Sequence, residues 1–471
     1  MSGTIEHMQF QASMLTPNPT RRRSIVTVLE AALSAVDPRQ AILALLHCEN
    51  DTLTVGQQRY DLSRFQRIFV VGAGKAGAPM AQAVETVLGE RISAGLVVVK
   101  TDHRAPTTRV EIVEATHPVP DAAGVAAGQR ILALAETANA DDLVIALLSG
   151  GGSALLVSPA EGLTLADKQQ MTGALLACGA TIQEMNCLRK HCSALKGGQL
   201  ARAVAPATLI TLVLSDVVGS PLDVIASGPT VPDKTTWADA WAVVEKYQIT
   251  DKLPSAILAR LRAGLAGEIA DTPKPGDPVF STAQTQIVAD NLVAAEAACA
   301  QARTVGFNPL LLTTYLEGEA GEVAKVVVAL AKQAQASGQP VALPACLVLG
   351  GETTVTLGAN PGQGGRNQEL ALSAAVALQG ASGITIVSLA TDGSDGPTDS
   401  AGGMADGDTV ARGSALGLSA AEHLRRHDAY AFLQATNDLL ITGPTQTNVN
   451  DLVFAFVEAP RETIAPQEQP I

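Results

Sequence analysis

Lys75 sits inside a glycine-rich turn, Gly72-Ala73-Gly74-Lys75-Ala76-Gly77, which follows the apolar run 67–71 and precedes a helical spacing of apolar residues over 79–88. Glycine lets a ligand approach the bare backbone, and the helix that follows presents free N–H groups at its positive end, so the turn is suited to an anion. The same pattern serves dinucleotides, which also call for an acid near the end of the second strand; Asp102 is a candidate for that place. A lysine inside the turn fits better with a phosphate chain that gains charge during transfer. A tight turn carrying a solvated lysine is the plainer alternative.

A second glycine cluster, Ser149-Gly150-Gly151-Gly152-Ser153, closes the apolar run 143–148. Consecutive glycines pack nothing and cost chain entropy, which points to a nest of N–H groups for phosphate or carboxylate; a flexible turn is the alternative. Ser215-Asp216 ends the run 209–214, and in an open parallel sheet ligands sit beyond the carboxyl ends of strands. A carboxylate there can hold Mg²⁺, take the proton of a substrate hydroxyl, or simply cap a turn. Downstream, Gly350-Gly351-Glu352 and Gly362-Gln363-Gly364-Gly365-Arg366-Asn367-Gln368-Glu369 bring more bare backbone, and Arg366 offers a fork of donors to carboxylate or phosphate. The segment Thr391-Asp392-Gly393-Ser394-Asp395-Gly396-Pro397-Thr398-Asp399 gathers acids at the end of another run, with a spacing that departs from a calcium-binding loop. Several anion-friendly loops together with strand-end carboxylates point to a nucleotide, a divalent metal and a small acid. Asp216, Glu352 and Asp392 are the candidate metal ligands.

The elements that must position these residues alternate. Runs at 67–71, 96–99, 143–148 and 209–214 read as strands, and 79–88, 122–138 and 165–177 as helices, which argues for a doubly wound, Rossmann-like parallel sheet. The Pro-rich stretch 272–278 is the strongest punctuation, and the α/β pattern restarts beyond it with strands expected at 287–289, 310–313, 343–349, 384–389 and 453–457. The expected organisation is a loose leader over 1–23, an N-terminal domain over 24–271 opening with a helix at 24–35, a linker over 272–280, a C-terminal α/β domain over 281–460 and a tail over 461–471.

Composition narrows the partners. The 471 residues exceed one ordinary core, and 47% hydrophobic against 17% charged residues describes a folded chain. A net charge of −14 argues against duplex nucleic acid or an anionic membrane surface, and 3% aromatics leave few platforms for stacking single-stranded bases. No apolar run approaches the roughly 18 residues of a membrane span. The basic triplet Arg21-Arg22-Arg23 precedes a stretch that contains Glu30, unlike a secretory core, so a cytoplasmic location is expected. The six cysteines lack zinc-site spacing and read as free thiols of a reducing compartment. Oligomeric state is open at this level, a homodimer included.

Taken together, the 71–77 turn, THPVPD at 116–121, LRKHCSALKGG at 188–198, the 214–229 stretch, GGETT at 350–354, GGRNQE at 364–369, the 391–403 loop and TGPTQTNVND at 442–451 resemble the class II glycerate kinases, the glycerate 2-kinase family with a C-terminal MOFRL domain. The resemblance runs from about residue 24 to the last strand and implies a MOFRL region at about 343–455. It implies transfer of the ATP γ-phosphoryl group to the 2-hydroxyl of D-glycerate, with Mg²⁺, in a cleft between two α/β domains. It also makes Lys75 and Arg366 the activity-critical cations, with Asp216 as metal ligand or base. Lys196 joins the glycine loops, Gly350 and Glu352 in the expected nucleotide-binding set. The chain departs from the family pattern at Gln446, where glycine is usual. An NAD(P)-dependent hydroxypyruvate reductase, resting on the 72–77 turn and Asp102, is the rival reading, and a non-enzymatic sugar-acid sensor is a third.

Overall fold

A computed structural model of the chain describes residue 10 and residues 19–459. Most of the expected leader and the tail therefore lie outside the described residues. The chain divides into two compact units: one runs from Asp37 to Asp290, and the other joins the residues up to Val36 with those from Asn291 onward.

The first unit begins with a small antiparallel meander of β1 (Leu46–Glu49), β2 (Thr52–Val55) and β3 (Gln58–Asp61). Its main sheet contains β4 (Arg67–Ala73), β5 (Ile92–Lys100), β6 (Val110–Ala115), β7 (Asp142–Leu148), β8 (Thr208–Leu214) and β9 (Ala283–Ala289) in the order β6-β5-β4-β7-β8-β9. All neighbours are parallel, as expected for a doubly wound sheet. Every residue of β7 is buried, which is why it reads as an unbroken apolar run rather than an alternating one. The strand order reverses between β4 and β7, and the chain leaves these adjacent strands through the 72–77 turn and the 149–153 loop. Such a reversal opens a crevice that two flanking helices cannot both cover.

The stretch expected to be a linker belongs to this unit. β9 pairs with β8 from Leu209 opposite Ala283 to Leu214 opposite Ala289, so the chain must pass through 272–280 to deliver the sheet's last strand. Thr272 is buried there, and its hydroxyl donates to the Asp233 carboxylate at 2.9 Å. Proline-rich punctuation marks the turn before an edge strand, and the boundary itself falls at Asp290.

The second unit carries β10 (Asn308–Leu316), β11 (Ala345–Gly351), β12 (Ile384–Ala390), β13 (Gly402–Asp406), β14 (Leu439–Leu440) and β15 (Asp451–Val457) in the order β10-β11-β15-β12-β13-β14. β15 runs antiparallel between β11 and β12, with Asp451 opposite both Gly351 and Ala390. The carboxyl ends of β11 and β12 and the start of β15 thus share one edge of the sheet.

The helix expected at 24–35 starts earlier and sits elsewhere. It spans Pro19–Ala35, so Arg21, Arg22 and Arg23 are helical rather than part of a leader, and it packs on the helix Asn291–Thr304 of the second unit. Its apolar face of Ile25, Val28, Leu29, Ala32 and Leu33 is fully buried. Arg22 is buried too, pairing with the Asp438 carboxylate and donating to the Asn437 carbonyl at 2.8 Å, while Arg412 holds Asp438 from another side at 2.9 Å. Removing one partner of a buried pair strands the other charge. Arg22→Ala should therefore destabilise the protein by about 3–5 kcal/mol, read as a fall in the midpoint of thermal unfolding followed by circular dichroism. An unchanged midpoint would show that the pair contributes nothing.

Candidate functional site

In the first unit the two glycine loops are stitched to each other. The Lys75 N–H donates to the Gly150 carbonyl at 2.8 Å, the Ser149 N–H to the Ala73 carbonyl at 3.2 Å, and the Ala76 N–H to the Ser149 hydroxyl at 3.1 Å. Contact this close needs bare backbone: a Cβ on Gly74 would overlap Ser149, and Gly74 also adopts φ +143°. Gly77 serves packing, since a Cβ there would lie 2.6 Å from Val97 of β5. Lys75 thus stands on a backbone fixed from both sides.

Three side chains crowd the 149–153 loop. A Cβ on Gly150 would overlap the Asp216 carboxylate, and one on Gly151 would lie 3.1 Å from the His117 ring and 3.5 Å from Lys75 Cγ. Gly151 itself has φ +80°. Among the described residues, no acceptor takes the N–H groups of Gly150, Gly151 or Ser153. Free donors over bare Cα atoms, a cation and a carboxylate are what a triphosphate with its metal ion needs, so these residues fit ATP and Mg²⁺.

His117 belongs to the THPVPD stretch, whose letters alone assign it no chemical role. It is half-buried, and burial, followed by the charges of Lys75, Lys100 and His103, lowers its pKa from 6.5 to about 4. The imidazole is neutral near pH 7. Sequence could have flagged it only through that motif, because nothing local announces that residue 117 reaches the loop after β7.

Lys196 requires correction. It is 1% exposed, its Nζ donates to the Leu156 carbonyl at 2.8 Å, and burial pushes its pKa well down. It braces the far end of the short helix Gly152–Leu155 and does not face a ligand.

In the second unit Arg366 opens the helix Arg366–Leu378, whose first turn is held by Asp395. That carboxylate accepts the N–H groups of Asn367 at 3.1 Å and Gln368 at 2.8 Å, and burial raises its pKa to about 6 against those bonds. Asp451 takes Arg366 Nε at 2.5 Å and Nη2 at 3.0 Å, while Glu352 takes Nη1 at 2.8 Å. Burial works against the guanidinium charge, but Asp451 and then Glu352 outweigh it and raise the pKa, so Arg366 stays charged. Three N–H groups are thereby committed, and among the described residues the other two of the five have no acceptor. Asp451 and Asp395 are the residues that sequence reasoning left without a role.

Gly350 has a packing reason rather than a binding one, because a Cβ there would overlap the buried Asn291 amide. That amide donates to the carbonyls of Val449 at 2.8 Å and Asp451 at 2.9 Å, anchoring the start of β15. Glu352, expected to hold metal, pairs with Arg366 instead. Asp392 accepts the Ser394 N–H at 3.0 Å within its own turn. Among the described residues, no three His, Cys, Asp or Glu side chains gather to hold a metal ion. Mg²⁺ sites commonly use one or two carboxylates plus substrate phosphates, so Asp216 remains suited to the task.

Residues 24–262 match a family described as a domain of unknown function, DUF4147, and residues 345–451 match the MOFRL family. A D-glycerate 2-kinase of Thermotoga maritima is 40% identical over 94% of this chain and 100% of its own. The class II glycerate kinase family is therefore the one to which this chain belongs. A glycerate 2-kinase of Pyrococcus horikoshii is 38% identical over 91% of this chain and 96% of its own, and a protein of Agrobacterium vitis provisionally named hydroxypyruvate reductase is 44% identical over 95% and 97%. The crystal structure of a Thermotoga maritima glycerate kinase superposes with a TM-score of 0.84 at 39% identity, covering 93% of this chain and 99% of that one.

Because the fold favours neutral His117, its contribution to stability is full above pH 6.5 and is lost as the pH falls towards 4. In NMR the imidazole should titrate near pH 4, and Lys75→Ala should move that midpoint upward. A midpoint indifferent to Lys75→Ala would show that the two side chains do not share the loop.

Proposed function

We propose that this protein transfers the γ-phosphoryl group of ATP to the 2-hydroxyl of D-glycerate, giving 2-phosphoglycerate and ADP. The observation that carries the reading is the set of N–H groups at Gly150, Gly151 and Ser153, unclaimed among the described residues, beside Lys75, in a chain whose relatives are named glycerate kinases across nearly their whole length. The loop N–H groups hold phosphate oxygens, and Lys75 offsets the charge that builds on the transferring group. Asp216 would hold Mg²⁺, which would supply neutralisation of the phosphate oxygens. Arg366, pre-oriented by Asp451 and Glu352, clamps the carboxylate or the phosphoryl group with its remaining donors. The glycerate hydroxyl oxygen bonds to the γ-phosphorus as the bridging bond to the β-phosphate breaks, and its proton passes to His117. Positioning and charge stabilisation supply most of the acceleration.

A reductase reading draws on the strand order, which is also that of dinucleotide-binding sheets. Against it, β5 ends on Lys100, and Asp102 lies exposed in the following turn. A cytoplasmic location accords with six free cysteines, and no helix of the described residues is long and apolar enough to cross a membrane.

With ATP, Mg²⁺ and D-glycerate the protein should release ADP and yield 2-phosphoglycerate, identified by ³¹P NMR. Oxidation of NADH by hydroxypyruvate without ADP release would decide for the reductase. Lys75→Ala should lower kcat by at least ~10²-fold, the scale of losing one preorganised donor. The losses from Lys75→Ala and Arg366→Ala should combine less than multiplicatively if both act on one step. Near-normal turnover in either variant would remove that residue from the mechanism.

A further inference from the structure

We infer that Ser153 is a ligand of the divalent cation that accompanies the nucleotide, and that Ser227 and Asn186 are positioning residues that set its hydroxyl for this role. The inference rests on the nucleotide reading of the 149–153 loop and adds an orientation to it. Ser153 Oγ lies 3.0 Å from Ser227 Oγ, and Ser227 Oγ donates to Asn186 Oδ1 at 3.2 Å. A serine hydroxyl has one proton. That of Ser227 is committed to Asn186, so Ser227 is the acceptor towards Ser153, and Ser153 must donate inward.

What Ser153 then offers outward is lone pairs alone. Such a hydroxyl repels a phosphate oxygen and suits a hard cation. Division of labour within the loop follows: the N–H groups of Gly150, Gly151 and Ser153 meet phosphate oxygens, and Ser153 Oγ meets the cation, with the Asp216 carboxylate against Gly150 as the anionic ligand.

The relay is placed where water cannot reverse it. Ser227 is fully buried and Asn186 is 3% exposed. Its backbone is also an unusual one. Ala226 and Ser227 take φ +50° and +61° ahead of Gly228 at +60°, and the Ser227 carbonyl accepts the Gly197 N–H at 2.9 Å. Non-glycine residues in this region are strained and persist where surrounding structure over-determines them. Here the strained bend is what carries the Ser227 hydroxyl to Ser153.

Equilibrium binding tests the assignment without turnover. Mn²⁺·ATP binding, read by electron paramagnetic resonance, should weaken roughly ten-fold in Ser153→Ala and in Ser227→Ala, while ATP binding in EDTA stays unchanged. Ser153→Cys, nearly isosteric, should shift the preference from Mg²⁺ towards thiophilic Cd²⁺ by roughly ten-fold or more in calorimetry with ATP. Asn186→Asp keeps an acceptor and should preserve Mn²⁺·ATP affinity, whereas Asn186→Ala should not. The assignment falls if Ser153→Ala leaves metal dependence intact and weakens metal-free ATP binding, because Ser153 would then be a phosphate donor. An unshifted Cd²⁺ preference in a folded Ser153→Cys protein also overturns it. Wild-type protein that binds no ATP at all would instead defeat the nucleotide reading.

Discussion

The constraint on which the first unit depends is the contact between the chain leaving β4 and the chain leaving β7. Adjacent parallel strands whose connections diverge leave a gap at their carboxyl ends, and here backbone hydrogen bonds close it. The Lys75 N–H reaches the Gly150 carbonyl, and the Ser149 N–H the Ala73 carbonyl. A side chain at 74 would overlap Ser149, so none fits between the two loops. Those bonds fix both loops, and among the described residues the N–H groups of Gly150, Gly151 and Ser153 have no acceptor. Gly74 is bare where backbone meets Ser149, and Gly150 and Gly151 are bare where the Asp216 and His117 side chains come close.

The second unit solves a different problem. The Arg366 guanidinium has to stay charged while partly buried, and it must not wander. Asp451 and Glu352 answer both needs, and Asp451 is fixed in turn because it begins β15, the strand between β11 and β12. Asp395 does the corresponding work for the backbone, satisfying N–H groups at the helix start. Glu352, which looks like a metal ligand in the sequence, is here a partner of Arg366.

This explains what was legible. Glycine loops at strand ends and the parallel sheet announced themselves, because unbroken apolar runs such as 143–148 and the punctuation that follows are local properties. Lys75 and Arg366 could be singled out for the same reason. His117, Asn186, Ser227 and Asp451 could not, since each acts on residues far away in sequence. Lys196 and Gly350 misled because a lysine or glycine needed for packing has the same letter as one needed for a ligand. The boundary was misplaced because proline marks a turn and is silent on whether the next strand joins the old sheet or begins a new one.

Charge decides between the nucleotide chemistries that the strand order alone permits. A dinucleotide site needs an acid at the end of the second strand to receive a ribose hydroxyl, and this sheet puts Lys100 there. Burial first, then Lys75, Lys100 and His103, depress His117, so three basic side chains act on one imidazole in a protein whose net charge is −14. Within a Debye length of about 8 Å such a local excess outweighs the global deficit. The overall negative charge opposes large polyanions, and the proposed anion at the loop would meet those nearby bases rather than the net charge.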